Sequence, residues 1–436
     1  MIDLPIIIVI LVMLLGLLAL GVPIAAVLFV AGTLGITYLV GWDVALMVLK
    51  HIPYDWISSW SLSSLPMYIL MGYIAYEIGL AEKIYNFVRF SIGNLPGAIA
   101  VTTSFGCAAF GAVCGSGGAT TATFAKLAYP EMSRDKYDQG LSTGVIASAG
   151  TIGGLMPPSI LMIIYATLAE ISVGKCFIAG IIPAILSAVI YSIMIIVRVK
   201  LKPSLAPIPL MIKRTPKLLF KGLIGLWDVL VLVFIIFGGI YSGIATATEA
   251  GALSAFAALI IGFTTHRLSW QKLKSSLWST AKTCGMVLIV AGGAQVFARF
   301  LAYGGVHEWL AVAFANLTIV QFIAVMFLTY LIMGMFITPI GMMLLTIPVL
   351  LPAIEALGIN LVWWCIIVIK MTELSCITPP VGLTVYTVKA VLKQVVRIET
   401  IFRGVFWFAI MDILTFLILA TWPEMSLILP NLMMGE

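Results

Sequence analysis

The chemistry open to this chain is concentrated in two pairs of short interruptions within long apolar runs. The first pair is Gly115-Ser116-Gly117-Gly118 with Thr120, and Gly153-Gly154-Leu155-Met156-Pro157-Pro158-Ser159. The second is Phe336-Ile337-Thr338-Pro339-Ile340-Gly341, and Cys376-Ile377-Thr378-Pro379-Pro380-Val381-Gly382. A glycine costs a helix interior about 1 kcal/mol relative to alanine and a proline about 3 kcal/mol, so each stretch favours a break. Prolines lack an N–H and leave upstream carbonyls without helical partners, and spare carbonyl oxygens suit a hard cation. The half-helix after a break presents N–H groups and partial positive charge, which suit an anionic ligand. Gly154 to Ser159 and Thr378 to Gly382 therefore read as places that offer carbonyls to Na⁺ and N–H groups to an anion, with the Ser116 and Thr120 hydroxyls nearby. The plainer alternatives are close helix packing at the glycines and a simple kink at each Pro-Pro.

Length separates these readings at the first break. The apolar run over 98–129 holds roughly 32 residues, which as one helix would measure about 48 Å against a hydrocarbon core of about 30 Å. Broken at the glycines it becomes two arms of roughly 15 residues, about 22 Å each and too short to cross. A re-entrant hairpin over 98–130 is expected. Its tip would place irregular backbone deep in the membrane, where it survives only inside protein or beside water.

Composition sets the class. With 436 residues, 62% hydrophobic and 10% charged, and a mean hydropathy of +1.16, the chain reads as an all-α polytopic membrane protein. Its start, Met1-Ile2-Asp3-Leu4-Pro5, lacks a basic n-region, so the first apolar run is expected to be retained as a span. The six cysteines lie in apolar segments without a CxxC or a nearby histidine, which is no disulfide or metal pattern. The net charge of +6 sits in short loops beside spans. It is a topology signal, with the lipid bilayer and not nucleic acid as the partner.

The positioning elements follow. Spans are expected over 4–21, 22–40 and 60–80, then a surface helix over 82–92, the hairpin at 98–130, a helix over 139–168 broken at Pro157-Pro158, and a span over 176–198. A linker rich in Lys, Arg and Pro follows, placed at 200–225. The remainder repeats the plan: spans over 226–243, 245–265 and 283–302, a surface piece over 306–315, a second hairpin at 319–351, a helix over 360–388 broken at Pro379-Pro380, and a last span over 405–422. Pro130 and Pro352, Pro157 and Pro379, and Pro158 and Pro380 are each 222 residues apart. Twenty prolines would place fewer than one pair at a given offset by chance, so residues 1–199 and 226–436 read as two repeats. Lys83, Arg89, Arg134 and Lys136 flank the first hairpin and place its open end in the cytoplasm. The second hairpin has no flanking Lys or Arg, and Arg267, Lys272, Lys389 and Arg397 lie one span away, so it opens outward. The expected architecture is an inverted-topology repeat with binding sites near the midplane.

Ionisable residues within spans are Glu77, Lys126, Glu249, Arg299, Lys370 and Glu373. Each costs roughly 2.5–3.5 kcal/mol at a span centre. Lys370 and Glu373 are three residues apart on one helix face, which fits an internal ion pair as well as a functional role. Lys126 is read as structural, snorkelling to the interface. A hydrolase built on Ser116 would need a histidine base, and His51, His266 and His307 are all expected at interfaces. Inverted hairpins over broken helices favour alternating access over a passive channel.

Several motifs in one order resemble a known family. These are Gly111 to Ser116 with Tyr129-Pro130-Glu131-Met132; Gly150 to Ile160; Thr246-Ala247-Thr248-Glu249-Ala250-Gly251-Ala252; Gly334-Met335-Phe336 with Pro348 and Pro352; and Thr378-Pro379-Pro380-Val381-Gly382-Leu383. Together they resemble the large membrane subunit of tripartite ATP-independent periplasmic (TRAP) transporters over almost the whole chain. The resemblance implies Na⁺-driven uptake of organic acids across a bacterial inner membrane by an elevator motion. It also implies a small four-span membrane subunit, here as a separate polypeptide, and a soluble periplasmic substrate-binding protein. Na⁺ is the implied coupling ion, with no organic cofactor. The implied sodium residues are Gly115, Ser116, Gly118, Gly153, Gly154 and Pro157 in the first half, and Phe336, Thr338, Gly341, Glu373, Thr378 and Pro379 in the second. The implied substrate residues are Ser116, Gly117, Thr120, Ser159, Thr338, Thr378 and Gly382. The chain departs from the usual pattern at Gly117, Thr338, Met371 and Thr384, where the family often carries Ser, Asp, Asn and Asn. A transporter of related architecture that works without a binding protein, coupled to Na⁺ or H⁺, is the alternative.

Overall fold

The computed structural model describes residues 3–207, 216–315 and 317–434. Among these the chain is helical throughout, and its order follows the apolar runs. The first part holds α1 (Leu4–Ala19), α2 (Ile24–Val40), α3 (Trp42–Ile57), α4 (Ser64–Glu77), α5 (Leu80–Ile92), α6 (Ala98–Cys114), α7 (Gly117–Arg134), α8 (Gln139–Leu155), α9 (Ile160–Leu168) and α10 (Val173–Leu201). The second holds α11 (Pro216–Gly225), α12 (Trp227–Tyr241), α13 (Ala247–Thr264), α14 (Trp270–Tyr303), α15 (Val306–Ala315), α16 (Ile319–Met333), α17 (Pro339–Ala356), α18 (Leu361–Ile377), α19 (Leu383–Leu392), α20 (Ile398–Thr421) and α21 (Glu424–Met434). Residues 208–215 of the basic linker lie outside the described residues.

Several helix starts are satisfied by side chains, which matters where water is scarce. Ser116, Asp138, Ser159, Ser172, Ser269, Thr338 and Asn360 each accept a first-turn N–H. Thr246 with Glu249, and Thr318 with Gln321, form full capping boxes. Glu249 is thereby a helix-capping residue rather than a bare charge within a span.

Four features differ from the sequence-based expectation. Trp42–Ile57 forms a helix where none was expected. The 34-residue α14 begins at Trp270, well before the expected start of its span. The end of the basic linker is helical, as α11, and α21 extends the chain beyond the last expected span. Among the described residues five helices are individually long and apolar enough to cross a membrane, and two bent pairs pass the same test together, α4 with α5 (68°) and α8 with α9 (43°). All six cysteines are buried and free.

The helices pack as two groups. In one, α14 lies against α2, α3 and α4, while α13 packs on α4 and α12. In the other, α8 is central and contacts α6, α7, α10, α18, α19 and α20. The α8–α20 crossing is set by bare backbone: a Cβ on Gly404 would stand 1.9 Å from the Gly140 carbonyl oxygen, and one on Gly144 would stand 2.5 Å from the Gly404 carbonyl carbon. Small residues allow this approach, which larger side chains would prevent. The groups meet where α4 and α5 touch α6, and where α14 and α15 touch α17. The amphipathic α5 is held to both: Lys83 bonds Asp228 at the start of α12, and Arg89 bonds Glu131 on α7.

Candidate functional site

The first hairpin turns at Gly115 and Ser116, between α6 and α7. Gly115 adopts a left-handed φ of +65°, and a Cβ there would stand 2.1 Å from the Pro158 carbonyl oxygen, so only glycine fits. Its carbonyl accepts the Ile160 N–H at 3.1 Å, which ties the turn to the start of α9. Ser116 caps α7 by accepting the Ala119 N–H at 3.4 Å. Ser159 caps α9 by accepting the Met162 N–H at 3.4 Å, and donates its hydroxyl to the Gly154 carbonyl.

Thr120 lies on the inner face of α7 against Gly153, where a Cβ would approach its Oγ1 to 2.4 Å. That Oγ1 is buried and lies beside the Cys114 thiol at the turn. A Cβ on Gly154 would stand 3.5 Å from the Gly117 nitrogen. The structure therefore brings Gly115, Ser116, Gly117, Thr120, Gly153, Gly154 and Ser159 into one junction. Pro157 lies in the same turn, and Gly118 faces open space.

The second set is more dispersed. The α16–α17 turn packs on the last turn of α18, where a Cβ on Gly334 would stand 2.2 Å from the Ser375 Cβ. Thr338 caps α17 through the Gly341 N–H at 3.4 Å, and Gly341 faces Ile24 on α2. Phe336, Thr338 and Pro379 are exposed. Thr378 Oγ1 donates back to the Leu374 carbonyl at 2.6 Å, and Thr384 Oγ1 spans the break to the Cys376 carbonyl at 3.1 Å. Gly382, at a left-handed φ of +57°, opens α19. Among the described residues no hydrogen bond joins Thr338 or Gly341 to 378–382. The two halves interlock instead: α19 packs against α7, and α17 against α9.

Glu373 is buried beneath the second break and belongs to an ionic cluster. Lys370 Nζ donates to Asp412 Oδ1 at 2.6 Å, to Glu373 Oε2 at 3.1 Å and to Ser187 Oγ at 3.2 Å. Lys370 and Asp412 are fully buried and Glu373 is 3% exposed. Among the described residues Glu373 Oε1 has no partner, and Asp412 also lies against the Tyr191 hydroxyl. The Lys370–Glu373 pair follows from their spacing, whereas Asp412, on α20, was missed. So was Asp228, which is buried and bonded to Lys83 and, at 3.2 Å, to Arg267. A lone acid in an apolar run is itself the signal that would have found both, because burial of such a charge demands a partner.

A cavity of about 310 Å³ opens beside the first turn, at the boundary between the two helix groups. Its walls include Tyr73 and Tyr76 from α4, Ser116, Thr123 and Lys126 from α6–α7, and Thr283 from α14.

Two helix groups, paired hairpins and paired broken helices place the chain among polytopic helical membrane transporters. Two solved structures share the fold: the YdaH transporter of Alcanivorax borkumensis (TM-score 0.64, 13% identity, covering 87% of this chain and 89% of that one) and MtrF of Neisseria gonorrhoeae, one of a class of antimetabolite efflux pumps (TM-score 0.62, 14% identity, 93% and 94%). Residues 11–425 match the family of the tripartite ATP-independent periplasmic transporter, DctM component, and the chain belongs to that family. Among its relatives are the C4-dicarboxylate TRAP transporter large permease of Pseudomonas aeruginosa, 33% identical over 85% of this chain and 86% of that protein, and the sialic acid large permease of Vibrio cholerae, 28% identical over 87% and 88%. The isethionate TRAP permease DctMQ of Oleidesulfovibrio alaskensis is 30% identical over 86% of this chain, which spans 59% of that longer protein.

Proposed function

We propose that this chain is the large permease subunit of a Na⁺-coupled secondary transporter that takes up organic acids across a bacterial inner membrane. The observation that carries this reading is the junction of the first hairpin turn with the first helix break, where backbone carbonyls and the Ser116, Thr120 and Ser159 hydroxyls of both elements converge. Hydroxyls and backbone carbonyls are a donor set that fits a hard monovalent cation. Na⁺, when bound there, supplies the charge that draws an anionic substrate to the same junction. The chain's own residues would hold it: Ser116 and Thr120 from the hairpin, with Gly153, Gly154 and Ser159 from the break. The first turns of α7 and α9 direct N–H groups toward the substrate.

The two halves are read as inverted repeats over 1–199 and 226–436, joined by the basic linker. The group centred on α8 acts as the transport domain, and the group centred on α14 as the scaffold. Movement of one past the other gives an elevator mechanism, supported by their packing as two groups. A separate small four-span subunit and a periplasmic substrate-binding protein complete the system. The sialic acid permease SiaT and DctMQ, which are longer than this chain, are related along most of it.

Uptake of labelled organic acid into proteoliposomes tests the assembly. The chain reconstituted with a small subunit should accumulate acid only when binding protein is outside. Uptake by this chain alone would overturn the tripartite reading.

A further inference from the structure

We infer that Lys126 is an anion-binding residue within the cavity beside the first hairpin turn, where it holds the carboxylate or sulfonate of a small organic acid. The inference deepens the permease reading and rests on it. Sequence alone assigns Lys126 a structural, snorkelling role. The structure leaves Lys126 exposed, as that role requires, and also places its side chain on the wall of a cavity of about 310 Å³ bounded by both helix groups.

Three observations support the assignment. Lys126 forms no ion pair among the described residues: its Nζ has Tyr76 Oη at 3.4 Å as its hydrogen-bond partner and lies 6.0 Å from the Tyr76 ring centroid. A lysine carries three donors, so most of its bonding capacity is unused. The cavity is otherwise largely apolar, with Ile69, Ala119, Ala122 and Ile160 on its walls, and a hydroxyl pair, Tyr73 to Thr283 at 2.9 Å, on the scaffold side. An apolar chamber with one cation and a few hydroxyls is the chemistry of a site for a small organic anion, and its volume falls at the lower end of the roughly 300–1,000 Å³ usual for ligand sites.

Position gives the site its role. Lys126 is about 13 Å along α7 from the turn, at 1.5 Å per residue. The same cavity is lined by Ser116 at the turn and by Lys126, so Lys126 forms an anion station at the end of the chamber away from the turn. Because Tyr73, Tyr76 and Thr283 belong to the scaffold, this station exists only while the hairpin stands in its present position against α4 and α14.

The test compares Lys126→Met and Lys126→Arg with the parent protein, each purified with its small subunit. Thermal stabilisation in detergent by succinate, N-acetylneuraminate and isethionate reads binding, and labelled efflux from proteoliposomes loaded with the same acids reads transport. Lys126→Met is expected to raise the half-saturating concentration of the preferred acid roughly tenfold or more, the worth of a charge-assisted hydrogen bond. Lys126→Arg should remain within a few-fold of the parent. Equal half-saturation in the parent and in Lys126→Met, or parent protein stabilised by none of the three acids, would overturn the inference. Acid binding that depends on Lys126, together with transport indifferent to a Na⁺ gradient, would leave this site standing and refute the sodium reading alone.

Discussion

Replacing Lys370 with methionine removes the cation from a cluster that holds two carboxylates inside the helix group centred on α8. Methionine nearly preserves the volume, so the packing change is small. The electrostatic change is large. Asp412, 2.6 Å from Nζ, and Glu373, 3.1 Å from it, are left facing one another with almost no access to water. Breaking a buried pair by removing one partner costs about 3–5 kcal/mol, most of it from the charge left behind. Because two acids share this lysine, the upper part of that range is expected. The assay is thermal unfolding of the purified protein in detergent, followed by the fraction that stays monodisperse. Lys370→Met should unfold well below the parent, and the double variant Lys370→Met/Asp412→Asn should recover part of the loss, because it leaves one unpaired acid instead of two. A Lys370→Met protein within about 1 kcal/mol of the parent, against the 3–5 kcal/mol expected, would refute the view that this lysine neutralises the pair.

Asp228→Asn should cost less than Lys370→Met, because its partners Lys83 and Arg267 are 25% and 38% exposed and can regain water; parallel melts of the two variants decide this. Gly404→Ala should destabilise by about 1–3 kcal/mol or more, since its Cβ would meet the Gly140 backbone and neither helix can yield without separating α8 from α20; thermal unfolding in detergent reads the loss. Gly115→Ala combines a left-handed φ with a 2.1 Å clash at Pro158, and should abolish uptake while expression in the membrane persists. Thr120→Val keeps the shape of the side chain and removes the buried hydroxyl oxygen. It should raise the Na⁺ concentration for half-maximal uptake several-fold with little change in melting temperature, and an unchanged Na⁺ dependence would remove Thr120 from the cation site.

All four helix interruptions were legible in the sequence, because glycine and proline act locally: Gly115 and Pro157-Pro158 interrupt helices whatever surrounds them. Helix α3 was not, since Asp43, Lys50, His51, Pro53 and Asp55 give its segment a polar face that an apolar-run reading discards. The start of α14 was hidden likewise by Lys272, Lys274 and Lys282. Long-range pairing was beyond reach. Asp412 is 42 residues from Lys370, and only the packing of α20 on α18 brings them together. Lys126 shows the same limit: its residue type was visible, but the cavity it lines is built from α4 and α14, far away in the chain.

The central claim is coupled flux, and the most direct measurement is simultaneous entry of radiolabelled Na⁺ and labelled organic acid into proteoliposomes holding the chain, its small subunit and external binding protein. The two should enter together in a fixed ratio, and an inward Na⁺ gradient alone should drive accumulation of the acid. Accumulation of the acid without Na⁺ entry, or driven by a proton gradient in the absence of Na⁺, would contradict that claim.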